Sequence, residues 1–313
     1  MDITPFKLLL LDAAAGAVLL ADGPSGEILA DLPLPLGLAP VDMAADPATG
    51  VGLVALTGHG GTGALCRFSL ARPLLERLPL ALTNPARLAL AAGGIAYLAD
   101  ATGSLYALNL TSLSVEAWER PAGCGPCVGL AAGDSCLWAA WEYGDGGLLA
   151  AYGPDGPQGQ PYRLGGLPTN LVRDPKGRLV VPFTASPFSG EGLVVADPSA
   201  GGPPAVIPLL CSRCAAGQRL FPAHAAVQDD TAYVACEDSA SVAVVDLAAG
   251  QASGAIFLGR SVSRLALVAG GRFAVATSNA SAELAFIDLV NRRPLSFTAS
   301  GRELLSPLAV LEP

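Results

Sequence analysis

Charge and aromatic rings are scarce in this chain, and each scarcity rules something out. Asp, Glu, Lys and Arg make up 14% of its 313 residues while 51% are apolar, so the sequence is not a disordered one. Its 18 basic residues are outnumbered by 27 acidic ones, for a net charge of −9, and no basic run exceeds the pair Arg292-Arg293. That balance argues against nucleic acid or an anionic membrane surface as partner. No window supplies the roughly eighteen uncharged apolar residues of a membrane span. With only two histidines, His59 and His224, a multi-histidine metal centre within one chain is excluded. Catalytic signatures are missing too: there is no G-x-S-x-G elbow, no P-loop, no H-E-x-x-H, and no G-x-G-x-x-G set between a strand and a helix.

What the chain does have is turns and small apolar residues. Gly (37) and Pro (26) are too abundant for a helical protein and suit many short strands. No window sustains a 3.6-residue period, so almost no helix is expected. The segment 8–21, LLLLDAAAGAVLLA, has the apolarity of a signal-peptide core. Asp12 interrupts it, only Lys7 precedes it, and it aligns with a repeat that runs through the whole chain. The chain is therefore read as cytoplasmic, where its seven cysteines would be mostly reduced.

The repeat is marked by the end of an apolar strand just before a turn. That landmark falls at Asp22, Ser69, Asn109, Gly153, Asp197, Asp246 and Asp288, a mean spacing of about 44 residues. A propeller blade needs about 40–45, so seven blades account for the full length. The spacing predicts one all-β domain, a seven-bladed β-propeller, with blades at 5–38 plus 305–313, 39–84, 85–125, 126–167, 168–214, 215–260 and 261–304. Blade three predicts strands at 87–92, 95–99, 105–110 and 115–119, inner to outer. The first unit lacks an inner strand and the segment 307–312 is an inner strand with nothing after it. Placing that segment in blade one closes the ring and removes a free edge.

The wording of 232–250, AYVACEDSASVAVVDLAAG, and of 274–289 resembles the YVTN-type β-propeller repeat family, with a partial likeness in blade three (AYLADATGSLYALNL). The resemblance implies a seven-bladed ring that serves as a binding or scaffold surface.

Aligned on the repeat, the residues opening the inner strands are Asp42, Arg87, Cys127, Asn170, His224, Arg264 and Pro307. Inner strands line the central channel, so these residues should circle one mouth of it, where propellers commonly bind ligands. The second strands end at the same mouth and bring Asp12, Asp100, Glu142, Glu237 and Asp238. A rim of Arg and carboxylate favours a small polar ligand or a protein partner, although solvated strand-end groups would look the same. A monomeric chain is expected.

Two C-x-x-C motifs, Cys124-Gly-Pro-Cys127 and Cys211-Ser-Arg-Cys214, stand 87 residues apart, about two blades. Each is expected in a connection leading into an inner strand. Four thiolates, or three with His224, would satisfy zinc or an iron–sulfur cluster. Disulfides or free thiols are the alternatives. Cys66, Cys136 and Cys236 fall on predicted strands, where buried inert thiols are expected, and His59 in a glycine-rich exposed loop. Phe221-Pro-Ala-His224 with Ala-Cys-Glu237 resembles a piece of the 6-phosphogluconolactonase propeller family, although Cys236 stands where that family has Asn. The resemblance implies His224 and Glu237 as a catalytic pair, with Arg87 or Arg264 for a phosphate. A non-enzymatic binding propeller, a lactonase-like hydrolase and a metal-dependent enzyme built on the cysteines are thus the three functional readings.

Overall fold

Alternation along a single strand decides how this chain packs. Leu8, Leu9, Leu10 and Leu11 are all fully buried, yet they belong to two different cores. Leu8 and Leu10 pack with Val275, Leu284 and Phe286, while Leu9 and Leu11 pack with Val54, Leu56 and Phe68. Successive side chains of a strand point to opposite faces, so a strand with apolar residues at every position must sit in a sheet covered on both sides. Every sheet in this protein is covered that way.

The computed structural model describes residues 6–311 other than 24, 47–48, 70–73, 81, 134–135, 187–189, 211–217, 269, 279–280 and 300–303. Among the described residues its strands form seven separate antiparallel sheets; in six the inner-to-outer order follows the sequence, and in blade one the C-terminal strand is innermost. The inner strands are Leu304–Leu311 for blade one, Leu38–Asp46 for blade two, Pro85–Ala91 for blade three and Cys124–Ala132 for blade four. Blade five has a broken inner strand, Leu167–Pro168 and Val172–Arg173, and blades six and seven begin at Pro222–Gln228 and Arg264–Val268. Among the described residues the only helical element is a 3₁₀ turn at His59–Gly61, where His59 is exposed. Among the described residues no helix is long and apolar enough to cross a membrane.

The segment that could pass for a leader, 8–21, lies within the first hairpin of blade one, Lys7–Asp12 and Ala17–Asp22. The C-terminal strand completes the same blade. Lys7 pairs with Leu311, Leu8 with Val310, Leu9 with Ala309 and Asp12 with Leu304, so the ring is closed by joining its two ends in one sheet. This strand begins three residues before the expected 307–312 segment.

Seven apolar clusters hold the ring, one between each pair of neighbouring blades. Burying one Leu or Val side chain contributes about 1.5–3 kcal/mol, so the interfaces between blades carry most of the stability. The few aromatic rings concentrate between blades three and four. Trp118 stacks on Tyr152 with centroids 5.5 Å apart, and Trp141 lies 5.9 Å from the same ring. Their polar atoms are satisfied: Trp141 Nε1 donates to Gly103 O at 3.0 Å and the Tyr152 hydroxyl to Glu119 O at 3.0 Å.

Candidate functional site

The inner strands are not regular ladders. In blades two, three and six the pairing register slips by one residue, leaving Val41, Ala86 and Ala223 as the extra residue. A bulge of this kind bends the strand and re-aims the side chain that follows it. The residues that follow are Asp42, Arg87 and His224. A proline stands two positions before each: Pro40-Val-Asp42, Pro85-Ala-Arg87 and Pro222-Ala-His224, with Pro168-Thr-Asn170 in blade five. Proline has no N–H to give a ladder, so it suits an irregular strand start. In blade five the irregularity becomes a full break, and Asn170 sits in it. This recurring Pro-x-polar triplet was a usable sequence signal that alignment on strand ends alone had passed over.

The consequence is convergence. Asp42, Arg87, Asn170, His224 and Arg264, from five different blades, line one cavity of about 340 Å³. Residues 128–132 and 171–173 complete its wall, and among them is Arg173, which no sequence pattern had singled out. Close approach of blades four and five shapes that wall. A Cβ on Gly129 would lie 2.5 Å from Leu171 N, so only glycine allows the contact. Pro307 lies on the inner strand of blade one, and its side chain is outside the described residues.

Several of these groups also stitch neighbouring blades together. Asp42 Oδ2 accepts from Leu88 N at 2.8 Å across the blade two–three junction, and Oδ1 accepts from Met43 N at 3.0 Å. Arg87 Nε donates to Val128 O at 2.9 Å across the next junction, and its Nη1 to Ala86 O at 2.8 Å. Thr169 reaches from blade five to blade six, its hydroxyl donating to Pro222 O at 2.5 Å. Asn170 Oδ1 accepts from Leu171 N at 2.6 Å.

Electrostatics follow from burial. Desolvation raises the Asp42 pKa above the usual carboxylate value, although Arg264 and Arg87 pull it down. Arg264 is depressed by burial and by Arg87, and supported by Asp42. His224 falls to about 3, through burial first and the Arg264 charge second, so its imidazole is neutral at neutral pH. Its Nδ1 is buried without a hydrogen-bond partner among the described residues.

The other expected rim groups are engaged elsewhere. Asp12 accepts from Ala15 N at 2.8 Å, and Asp100 holds its turn by accepting from Thr102, Ser104 and the Tyr106 hydroxyl. Glu142 is exposed and does not line the cavity. Glu237 also stays outside it and accepts from Ser263 Oγ at 2.9 Å, so the structure does not bring His224 and Glu237 together around this cavity.

The cysteines require a correction. Cys124 and Cys127 lie within the inner strand of blade four rather than in the connection before it, because the strand starts at Cys124. Both are buried in the aromatic core between blades three and four, and both are free thiols. Burial pushes Cys127 up to about 12 and raises Cys124 as well, which opposes the thiolate form a metal needs. Cys211 and Cys214 lie outside the described residues, and among the described residues no three His, Cys, Asp or Glu side chains are placed to hold a metal. Cys66 and Cys236 are buried on strands, whereas Cys136 is half-buried in a turn rather than on a strand. In the folded protein Cys66, Cys127 and Cys236 will resist iodoacetamide at neutral pH and react once urea unfolds the chain. Mass spectrometry of labelled peptides checks this, and rapid native labelling of Cys127 would show that the blade four strand opens.

No family model matches the sequence, and no curated protein is similar to it in sequence. Solved structures are similar over nearly the whole chain. A functionally unknown protein from Desulfotomaculum acetoxidans has a TM-score of 0.76 at 15% identity, covering 98% of this chain and 99% of that one. Apo AztD from Citrobacter koseri has a TM-score of 0.68 at 14% identity, over 99% and 98% of the two chains. Hydrazine synthase from Kuenenia stuttgartiensis has a TM-score of 0.71 at 12% identity, over 88% and 90%. The protein is a seven-bladed β-propeller. Such different names on one fold mean that the fold alone transfers, and a role must be argued from the site.

Proposed function

We propose that this protein is a binding propeller that takes a small polar ligand in the cavity at the mouth of its central channel, without chemical turnover. The observation that carries the reading is the convergence of Asp42, Arg87, Asn170, His224 and Arg264 from five blades on one cavity of about 340 Å³. A concave site lined by a few convergent polar groups is the usual form of a small-molecule site. The YVTN-type wording of blades six and seven supports the same reading, since propellers of that kind serve as binding surfaces. Holding rather than turnover suits the groups themselves. His224, held at about 3 by burial and the Arg264 charge, is too weak a base to take a proton near neutral pH.

Thermal melting of the full chain against a panel of small polar compounds tests this. At least one compound should raise the melting temperature of the native sequence and leave Arg264→Gln unmoved, because a ligand that binds only the folded state stabilises it by mass action. If every compound that stabilises the protein acts equally on Arg264→Gln, the ring is a structural seam and the proposal fails.

A further inference from the structure

The two halves of the ring at the mouth spend their hydrogen bonds differently. In blades two and three the ring residue itself reaches the next blade: Asp42 accepts from Leu88 N and Arg87 donates to Val128 O. In blades five and seven the residue before it makes the inter-blade bond. Thr169 donates to Pro222 O, and Ser263 Oγ donates to Glu237 Oε1 at 2.9 Å. Among the described residues Asn170 and Arg264 are thereby left without an inter-blade bond. Arg264 makes no hydrogen bond or ion pair with any described residue, although desolvation is the largest influence on its charge. His224, between them in blade six, has no partner among the described residues either, and its Nδ1 is buried. A native fold seldom leaves buried polar groups unpaired unless a water, an ion or a ligand meets them.

The charged groups set the sign of the guest. Three guanidinium groups, those of Arg87, Arg173 and Arg264, line the cavity against the one carboxylate of Asp42, so the lining is cationic in either protonation state of Asp42. Arg173 belongs to the end away from the mouth. A Cβ on Gly133 would lie 3.5 Å from its Cζ and one on Gly177 3.5 Å from its Nη2, both in turns that leave inner strands. At the mouth, Arg87 is spent on backbone carbonyls through Nε and Nη1. Arg264 is the guanidinium there with its whole fork open. An oxyanion meets such a fork with charge-assisted hydrogen bonds, and carboxylate and phosphate oxygens both do so. Asp42 keeps lone pairs for a donor of the same guest.

We infer that the ring divides by function: Asn170, His224 and Arg264, on the consecutive blades five to seven, hold the ligand, Asp42 and Arg87 couple blades two to four, and the ligand group that Arg264 holds is an oxyanion. The inference rests on the reading of the cavity as a ligand site. A side chain kept for a ligand gives the fold nothing until the ligand arrives, and an unpaired desolvated cation costs stability meanwhile. Replacing it by an apolar side chain of similar length is therefore harmless or stabilising, and Asp42 keeps Arg87 as a counter-charge in that variant. Removing a coupler instead breaks a bond between blades.

Thermal melting of the full chain near neutral pH without ligand, compared among Arg264→Met, His224→Leu and Arg87→Met, tests the division. The first two should melt within about 2 °C of the native protein or above it, and Arg87→Met about 4 °C or more below it. A fall in Arg264→Met or His224→Leu as large as in Arg87→Met, or failure of either to fold, would put that residue among the couplers and overturn the division. Isothermal titration with sodium phosphate, sodium acetate and glycerol at constant ionic strength tests the oxyanion. Phosphate or acetate should bind saturably, the tighter of the two marking the kind of oxyanion. Arg264→Met should weaken that binding by about tenfold or more, and Arg264→Lys by less, since the charge is kept and only the fork is lost. Arg264-dependent binding of glycerol in preference to both anions would overturn the oxyanion. No Arg264-dependent binding of either anion by about 10 mM would overturn it too. The reading of the cavity as a ligand site stands or falls separately, on the wider melting panel.

Discussion

Deleting residues 304–313 will abolish the single cooperative melt of this protein and drive the chain into aggregates. The strand Leu304–Leu311 is the inner strand of blade one, and it pairs along Lys7–Asp12. Without it, Leu8 through Leu11, now fully buried, would sit on an edge strand with one row of unpaired backbone groups. Blade one would also lose its own inner strand at the point where it meets blades seven and two. A ring differs from an open stack in that the last interface is formed at little further entropic cost once the others exist. Losing the closure therefore removes more than one strand's worth of contacts. The expected loss exceeds about 5 kcal/mol, a large share of the stability of an ordinary domain. Circular dichroism melting and size-exclusion chromatography read the outcome. A truncated chain that stays monomeric and melts within about 5 °C of the full-length protein would show that the seven blades hold together without the closure.

How much of this was legible beforehand differs between fold and site, and for a physical reason. The fold is written in a period. Every blade repeats one arrangement of strands, so Asp22, Asn109, Asp246 and Asp288 each close a third strand as their spacing requires. Even the closure followed from counting strands, because a missing inner strand at one end and a spare one at the other leave one consistent solution. The site depends on where side chains aim, and a repeat gives that only in part. Position alone nominated Asp42, Arg87, Asn170, His224 and Arg264, and all five line the cavity. The same positional rule nominated Cys127, which packs instead into the aromatic core of blades three and four. The difference lies in the bulge. Asp42, Arg87 and His224 follow a single slipped residue, whereas Cys127 stands between two register slips, and its side chain is turned away from the channel. The carboxylates stay out of this cavity for another reason. Asp100 and Glu237 find donors within a few ångströms in their own turn or the next blade, and short-range capping of that sort outcompetes a shared site.

Part of the stability this protein loses in acid will come from His224. The imidazole sits at about 3 in the folded chain against an ordinary value of 6.5, because burial and the neighbouring Arg264 charge both disfavour its cation. In the unfolded chain the same ring takes up its proton near 6.5. A depressed basic group therefore leaves full stability above about pH 6.5 and loses it as pH falls toward 3, since the unfolded state then binds the extra proton. At about 1.36 kcal/mol per pH unit, the gap amounts to roughly 5 kcal/mol over the whole window. Asp42 has the opposite sign. Its folded pKa is raised, so the stability it contributes is present at low pH and is lost as pH rises through that value. Urea denaturation of the native sequence and of His224→Gln at steps between pH 7 and 4 separates these effects. The native protein should lose stability faster than the variant by about 1.4 kcal/mol for each unit below 6.5, while the two run parallel above it. Parallel curves throughout would mean that the ring finds solvent or a partner when it charges, and that the cavity around Arg264 is more open than its geometry indicates.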